Sequence, residues 1–135
     1  MNDQALPHPN ADSQPFWAGT LNDELRYQRC PACARAQFPP RGGCIRCGGP
    51  LVWAVSAGRG SIHSFTRVER APSAAFKASV PYVLVLVDID EGFRLLLTLR
   101  DAHEASVAIG QRVRVIFEAT ADPAIRLPQA LREHA

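Results

Sequence analysis

The chain has 135 residues, 47% of them hydrophobic, and its 15 basic and 13 acidic side chains give a formal net charge of +2. This length predicts one ordinary domain, or a small metal-binding module joined to one compact domain. No apolar run approaches the roughly 20 residues that a membrane-spanning helix needs, so we expect no membrane span.

The N-terminal segment predicts a leader followed by a short helix. Residues 1–14 are polar and proline-rich and lack the apolar stretch of a secretory signal peptide, which predicts a disordered leader and a cytoplasmic protein. Ser13-Gln14-Pro15 is typical of a helix start and places Phe16 and Trp17 on the apolar side of that helix. Leu25–Arg29 then alternates as a strand would.

The four cysteines of the chain form two CxxC pairs. A CxxC turn brings two thiolates together, and two such turns supply four ligands for one tetrahedral metal ion, with Zn–S bonds of about 2.3 Å. Gly48 allows the left-handed backbone that such a turn uses, whereas Ala34 stands at the corresponding place in the first turn. The predicted ligands are Cys30, Cys33, Cys44 and Cys47.

Structural zinc is the predicted occupant, because four protein ligands leave no open position for a substrate or an activated water. Two alternatives stay open at this point: iron in a rubredoxin-type site, which would colour the protein red, and two disulfides, which would need a secreted protein. The segment Gln37–Gly43 between the cysteine pairs is too rich in Pro and Gly for a helix. We expect the metal to order it, because it is too short for a core of its own.

Beyond Pro50 the pattern is typical of strands separated by turns. The predicted strands are Leu51–Val55, Ile62–Val68, Tyr82–Ile89, Phe93–Arg100, Arg112–Glu118 and a short Ala124–Leu127, with a loop at Ala71–Val80. Short strands with glycine-marked bends predict a small five-stranded closed barrel, for which the OB-fold is the best match. The predicted organisation is a leader at 1–14, a helix and metal-binding ribbon at 15–50, a barrel at 51–128 and a loose tail at 129–135.

Positive charge is concentrated near the cysteines. Between Cys30 and Arg70 there are six arginines, against Glu69 as the one acidic residue. Such a patch would suit an acidic ligand or partner surface. Because every basic residue except Lys77 is an arginine, a genomic preference for arginine codons explains the patch equally well.

Several short motifs occur in the order in which one known family carries them. They are Phe16-Trp17, Gln28-Arg29-Cys30-Pro31-Ala32-Cys33, Phe38-Pro39-Pro40-Arg41, Cys44-Ile45-Arg46-Cys47-Gly48, Trp53, Gly58-Arg59-Gly60-Ser61-Ile62, Phe65-Thr66, Pro81-Tyr82-Val83, Val87-Asp88, Glu91-Gly92 and Ile109-Gly110-Gln111-Arg112-Val113. On these residues the chain resembles the DUF35 proteins, and the resemblance covers roughly residues 16–118. The resemblance implies a mainly β protein, with a short N-terminal helix and a rubredoxin-like zinc ribbon followed by a five-stranded OB-fold barrel. The departures are Ala34, where the family usually has Gly, and a weak final strand.

The same resemblance implies a non-catalytic accessory subunit that binds an acyl-CoA-processing enzyme, chiefly a thiolase-like chain and less often a hydratase or aldolase. Such a subunit would meet a coenzyme A thioester through the complex. The candidate contacts are Arg41, Arg59 and Arg67 for phosphates, and Phe16, Trp17 and Phe76 for an acyl chain or the partner surface. The alternative has equal weight: Phe16 and Trp17 only cap the core, and the arginines pack the ribbon on the barrel.

The residues themselves favour a non-catalytic role, because the metal uses all four cysteines and His63 has no evident partner. The acidic tip Asp88, Asp90 and Glu91 is predicted to be a solvated, turn-forming cluster. The alternative function is a single-stranded nucleic-acid-binding module, since zinc ribbons and OB-folds both bind single strands. Near-neutral charge and a single lysine argue against it.

Overall fold

A computed structural model describes residues 6–102 and 106–133. Within them the chain forms one short helix, eight strands and one 3₁₀ turn. The bounds are α1 Gln14–Thr20, β1 Leu25–Arg29, β2 Ala36–Gln37, β3 Val52–Ser56, β4 Arg59–Val68, β5 Tyr82–Ile89, β6 Phe93–Thr98, β7 Arg112–Ala119 and β8 Arg126–Arg132, with the 3₁₀ turn at Ala74–Phe76. The mainly β architecture after a short N-terminal helix is confirmed. No helix in these two ranges is long and apolar enough to cross a membrane.

The ribbon is a three-stranded antiparallel sheet in the order β2-β1-β3. The sequence predicts Leu51–Val55 as the start of the barrel, but β3 pairs with β1 from Leu25↔Ser56 to Arg29↔Val52. The physical reason is that β2 offers β1 only two paired residues, so β3 supplies most of the hydrogen bonds that β1 needs. In the structure this strand therefore pairs in the ribbon sheet and not with a barrel strand.

The other five strands form a near-closed barrel in the order β6-β5-β4-β7-β8. A parallel bridge between Leu99 and Ala130 joins its two ends, and the Arg100 backbone N–H donates to the Ala130 carbonyl at 2.8 Å. β5 is buried on one face and half-buried on the other, as a strand inside a barrel wall requires. The five-stranded OB-fold is confirmed.

The chain ends in a longer strand than the sequence predicts. The prediction of a short strand Ala124–Leu127 and a loose tail is wrong for residues 129–132, because β8 pairs with β7 through Arg132. Ala130 and Arg132 are buried, so they are part of the barrel wall. Pro128 and Gln129 hide the alternation in the sequence, since neither is typical of a strand interior. Residues 134–135, like residues 1–5 of the predicted leader, lie outside the described residues.

The acidic hairpin tip between β5 and β6 holds the ribbon against the barrel. Ser56 Oγ donates to Glu91 Oε1 at 2.6 Å, and the Ala57 backbone N–H donates to Glu91 Oε2 at 2.8 Å. Asp90 accepts two hydrogen bonds from Arg112, at 2.8 and 2.6 Å. Asp90 and Glu91 are therefore not merely solvated. Glu91 fixes the short link between the last ribbon strand and the first barrel strand, and Asp90 ties the hairpin tip to β7.

Candidate functional site

The two CxxC turns have the same backbone hydrogen bonds. In the first, the Ala34 N–H donates to the Cys30 carbonyl at 2.7 Å, and in the second the Gly48 N–H donates to the Cys44 carbonyl at 2.9 Å. Ala34 and Gly48 both have a left-handed backbone, with φ of 63° and 74°. The two turns are thus a matched pair that presents its sulfurs toward a common centre.

The four cysteine sulfurs lie close enough for one tetrahedral ion. All four are within 4.8 Å of one another, and the Cys30–Cys47 and Cys33–Cys44 Sγ pairs are 3.5 and 3.7 Å apart. Sulfurs about 2.3 Å from a tetrahedral centre are about 3.8 Å apart, whereas disulfide sulfurs are about 2.05 Å apart. The donor set therefore fits a structural zinc ion, and the cysteines are free thiols rather than disulfides.

Backbone N–H donors and the close approach of the four sulfurs set the pKa values of these thiols. Hydrogen bonds from the Cys47 and Arg46 backbone N–H groups lower the pKa of Cys44 to about 6. The Gly49 N–H also favours the Cys47 thiolate, but the neighbouring Cys30 and Cys44 sulfurs outweigh it and raise the pKa of Cys47 to about 11. The four cysteines would hold a dication as thiolates, and its charge would offset this repulsion.

Two buried glutamines order the loop between the cysteine turns, a feature that the sequence analysis missed. Gln28 Oε1 accepts from the Arg41 N–H at 2.8 Å, and Gln28 Nε2 donates to the Arg41 carbonyl at 2.7 Å. Gln37 Oε1 accepts from the Ile45 N–H at 3.1 Å, and its Nε2 donates to the Gly43 carbonyl at 3.2 Å. The side-chain amides therefore help the metal to order this segment. In the sequence, the presence of Gln28 and Gln37 on ribbon strands was the feature that indicated it.

Glycine in place of Ala34 is expected to stabilise the ribbon by about 1 kcal/mol, because a left-handed backbone is unfavourable for a residue with a Cβ. The measurement is thermal unfolding of the zinc-loaded protein. Alanine in place of Gly48 is the mirror control and should destabilise by a similar amount, since its φ is also left-handed. Equal melting temperatures for all three proteins would contradict the argument.

The structure brings the three predicted aromatic residues to one groove of about 420 Å³ between α1, the ribbon and the barrel. Phe16, Trp17 and Phe76 line it together with Phe38 and Leu96. Phe16 is only 3% exposed and belongs to the core, and its ring meets the Trp17 ring edge-on with centroids 4.9 Å apart. Phe16 thus supports the groove from below, while the half-buried Trp17 and Phe76 present surface to it.

The three predicted arginines do not form one site. Arg59 and Arg67 lie near opposite ends of β4, about 25 Å apart at the usual strand rise. Arg59 lies 3.4 Å from Glu133, and Arg67 Nε lies 3.2 Å from Glu69. Arg41 is in the ribbon, where its guanidinium donates to the Pro40 carbonyl. Arg59 lines a groove that holds further arginines.

Both parts of the chain, the ribbon and the barrel, match known proteins. Residues 17–52 match the ChsH2 rubredoxin-like zinc ribbon domain and residues 53–118 match the ChsH2 C-terminal OB-fold domain. A chain from the structure described as "Ltp2-ChsH2(DUF35) aldolase" superimposes with a TM-score of 0.81 and 30% identity, over 94% of this chain and 98% of that one.

Two curated relatives extend the comparison. A "3-oxo-4,17-pregnadiene-20-carboxyl-CoA hydratase alpha subunit" from Mycobacterium tuberculosis is 38% identical over 82% of this chain, which spans only 35% of that subunit's length. A "DUF35 domain-containing scaffold protein" from Methanothermobacter thermautotrophicus is 34% identical over 69% of this chain and 71% of its own. The chain therefore belongs to the DUF35 family, as a rubredoxin-like zinc ribbon joined to an OB-fold.

Proposed function

We propose that this protein is a non-catalytic, zinc-binding accessory subunit that binds an acyl-CoA-processing enzyme and helps to form or stabilise the acyl-CoA site of that enzyme. The observation that carries the proposal is the match over almost the full length of both chains to a chain of the Ltp2-ChsH2(DUF35) aldolase. A relative named as a hydratase alpha subunit and another named as a scaffold protein support the same role. Our first candidate for the partner is a thiolase-like chain; a hydratase and an aldolase are the other two.

The chemistry of the described side chains supports an accessory role. The candidate metal site has four protein ligands and no open position. In residues 6–102 and 106–133, the arrangement most like an acid–base pair is His63 with Asp88. The distance between His63 Nδ1 and Asp88 Oδ2 is 3.2 Å. A hydrogen bond from Arg94 lowers the pKa of Asp88, so this half-exposed carboxylate is already paired.

The aromatic groove supports docking on a partner. Leu96 is 62% exposed on its rim, beside Trp17 and Phe76. Large apolar side chains that remain in water at the rim of a groove are typical anchors of protein interfaces. A partner that covers this groove would gain the burial of Leu96 and Trp17 without rearranging the barrel.

Reconstitution tests the proposal. Native purification, with mass-spectrometric identification of the co-eluting chain, supplies the partner, which is then expressed alone. The isolated chain is expected to show no acyl-CoA turnover and to restore or raise the activity of the partner on mixing. Turnover by the isolated chain, or a partner that acts on no acyl-CoA, would overturn the proposal.

A surface substitution tests the groove. Leu96→Asp is expected to weaken association with the partner at least tenfold, because it places a charge where an apolar contact is required. Ile109→Asp is the matched control, since Ile109 is 71% exposed and lies in the connection before β7, away from the groove. Equal affinities of the two variants would place the interface elsewhere.

A further inference from the structure

A second groove, of about 660 Å³, lies where β4, β7 and the end of β8 meet. Four arginines line it, together with two carboxylates. They are Arg59, Arg112, Arg114 and Arg132, with Asp101 and Glu133. This groove lies apart from the cysteine site and from the aromatic groove, with which it shares no lining residue.

Two of these arginines face each other across adjacent strands. Arg59 on β4 is directly opposite Arg114 on β7, and residues that are directly opposite project from the same face of a sheet, with Cβ atoms about 5 Å apart. Like charges at such a pair repel and destabilise the sheet. An anion held between the two guanidinium groups would turn that repulsion into attraction.

Arg59 and Arg114 are less well paired with carboxylates than the other two arginines of the groove. Arg112 is held by Asp90 through two short hydrogen bonds, and the buried Arg132 lies 3.3 Å from Asp101. Arg59 has one longer contact, 3.4 Å to Glu133. Within residues 6–102 and 106–133, Arg114 has no carboxylate within ion-pairing distance. Glu133, which also lines the groove, is thus an internal carboxylate that an incoming anion would displace.

We propose that Arg59 and Arg114 bind a phosphate group. Guanidinium groups form paired, charge-assisted hydrogen bonds with phosphate oxygens, and two guanidiniums on adjacent strands approach one group from two sides. Resting on the proposed function, we assign this phosphate to the nucleotide end of a coenzyme A thioester. The important partner of Arg59 is therefore Arg114, which the sequence analysis did not single out, rather than Arg41.

The test is titration of the full, zinc-loaded chain with 3′,5′-adenosine bisphosphate, the phosphate-bearing end of coenzyme A, followed by calorimetry. Arg59→Gln and Arg114→Gln are each expected to weaken binding at least tenfold. Glu133→Gln is expected to tighten it, because it removes the competing carboxylate. Arg94→Gln is the matched control: it removes an equal charge from an exposed arginine on β6 and should leave the affinity unchanged.

Inorganic phosphate and pantetheine are tested as competitors of 3′,5′-adenosine bisphosphate. Inorganic phosphate should compete weakly and pantetheine, which has no phosphate, should not compete. Equal binding by wild type and Arg114→Gln, or no binding by wild type, would overturn the site. Tighter, Arg114-dependent binding of a single-stranded oligonucleotide would overturn the coenzyme A assignment in favour of nucleic acid.

The phosphate site and the proposed function can fail separately. Association with the partner enzyme is measured by co-elution, and it should persist in Arg114→Gln if the aromatic groove is the interface. Arginine-dependent nucleotide binding by a chain that binds no acyl-CoA enzyme would leave the site in place and refute the accessory role. An active complex whose KM for its acyl-CoA is unaffected by Arg114→Gln would retain the accessory role and refute the assignment of the phosphate to coenzyme A.

Discussion

Serine in place of Cys44 is expected to release the zinc ion and unfold residues 25–50. Binding of structural zinc contributes about 10–16 kcal/mol of apparent free energy to folding in small zinc-binding modules. The loop between the cysteine turns is rich in Pro and Gly and keeps only the amide hydrogen bonds of Gln28 and Gln37 without the metal. The measurements are zinc content per chain and limited proteolysis.

Loss of the ribbon should also weaken the barrel, because the two share one core. The buried cluster runs from Leu25 and Tyr27 on β1 into the barrel, and the rings of Tyr27 and Phe93 stack with centroids 4.9 Å apart. We therefore expect the barrel of the Cys44→Ser protein to melt at a lower temperature than that of the wild type, because the unfolded ribbon no longer buries Leu25 and Tyr27 against it.

The control for this prediction is Ala32→Ser, which adds a hydroxyl at an exposed position in the first cysteine turn. It should keep the full zinc content and the wild-type melting temperature. A Cys44→Ser protein that retained stoichiometric zinc and a protease-resistant ribbon would show that the four-thiolate assignment is wrong.

The cysteine site was predictable because its information is local. A CxxC turn brings its two sulfurs together within four residues, and the left-handed positions at Ala34 and Gly48 follow from the same short turn. The strands from Tyr82 to Thr98 were predictable for a related reason, since a turn joins them directly and their alternation or continuous apolar pattern is strong.

Features that depend on distant pairing were not predictable. The composition of β3 predicts a barrel strand, and only its hydrogen bonds with β1 show that it pairs in the ribbon sheet. β8 contains Pro128 and Gln129, so its local pattern is weak, yet β7 pairs with all seven of its residues. Tertiary context overrides strand propensity in both cases.

Among the candidate binding residues, too, local features were predictable and distant pairing was not. Phe16 and Trp17 in the first helix and Phe76 in the loop before β5 line one groove, because large apolar residues outside strands must pack somewhere, and their role in binding stays a prediction. The arginines could not be grouped from sequence, since the neighbour of Arg59 is Arg114 on a strand 55 positions later. Charge counted along the chain indicates a patch, and only strand register indicates which charges face each other.

Alanine in place of Gly60 is expected to destabilise the barrel by about 3 kcal/mol or more, which lowers the Tm by roughly 10 °C. Gly60 lies on β4 where the strand is paired on both sides, with Ile89 of β5 and with Val113 of β7. A Cβ at this position would lie 2.3 Å from the Asp88 carbonyl oxygen and 2.7 Å from Val87 Cγ1. The oxygen belongs to the backbone of a paired strand, so it cannot move aside as a flexible side chain would, and the strands must separate.

Gly43→Ala separates this clash from the general effect of replacing glycine. A Cβ at Gly43 would meet nothing closer than 3.7 Å, which is ordinary van der Waals contact, so its stability should change by less than about 1 kcal/mol. Urea unfolding of the zinc-loaded proteins measures both changes. Because Gly60 lies outside the cysteine turns, the Gly60→Ala protein should bind zinc at wild-type stoichiometry below its melting temperature. Equal stability of the two variants would mean that β4 and β5 do not approach as closely at Gly60 as the barrel requires.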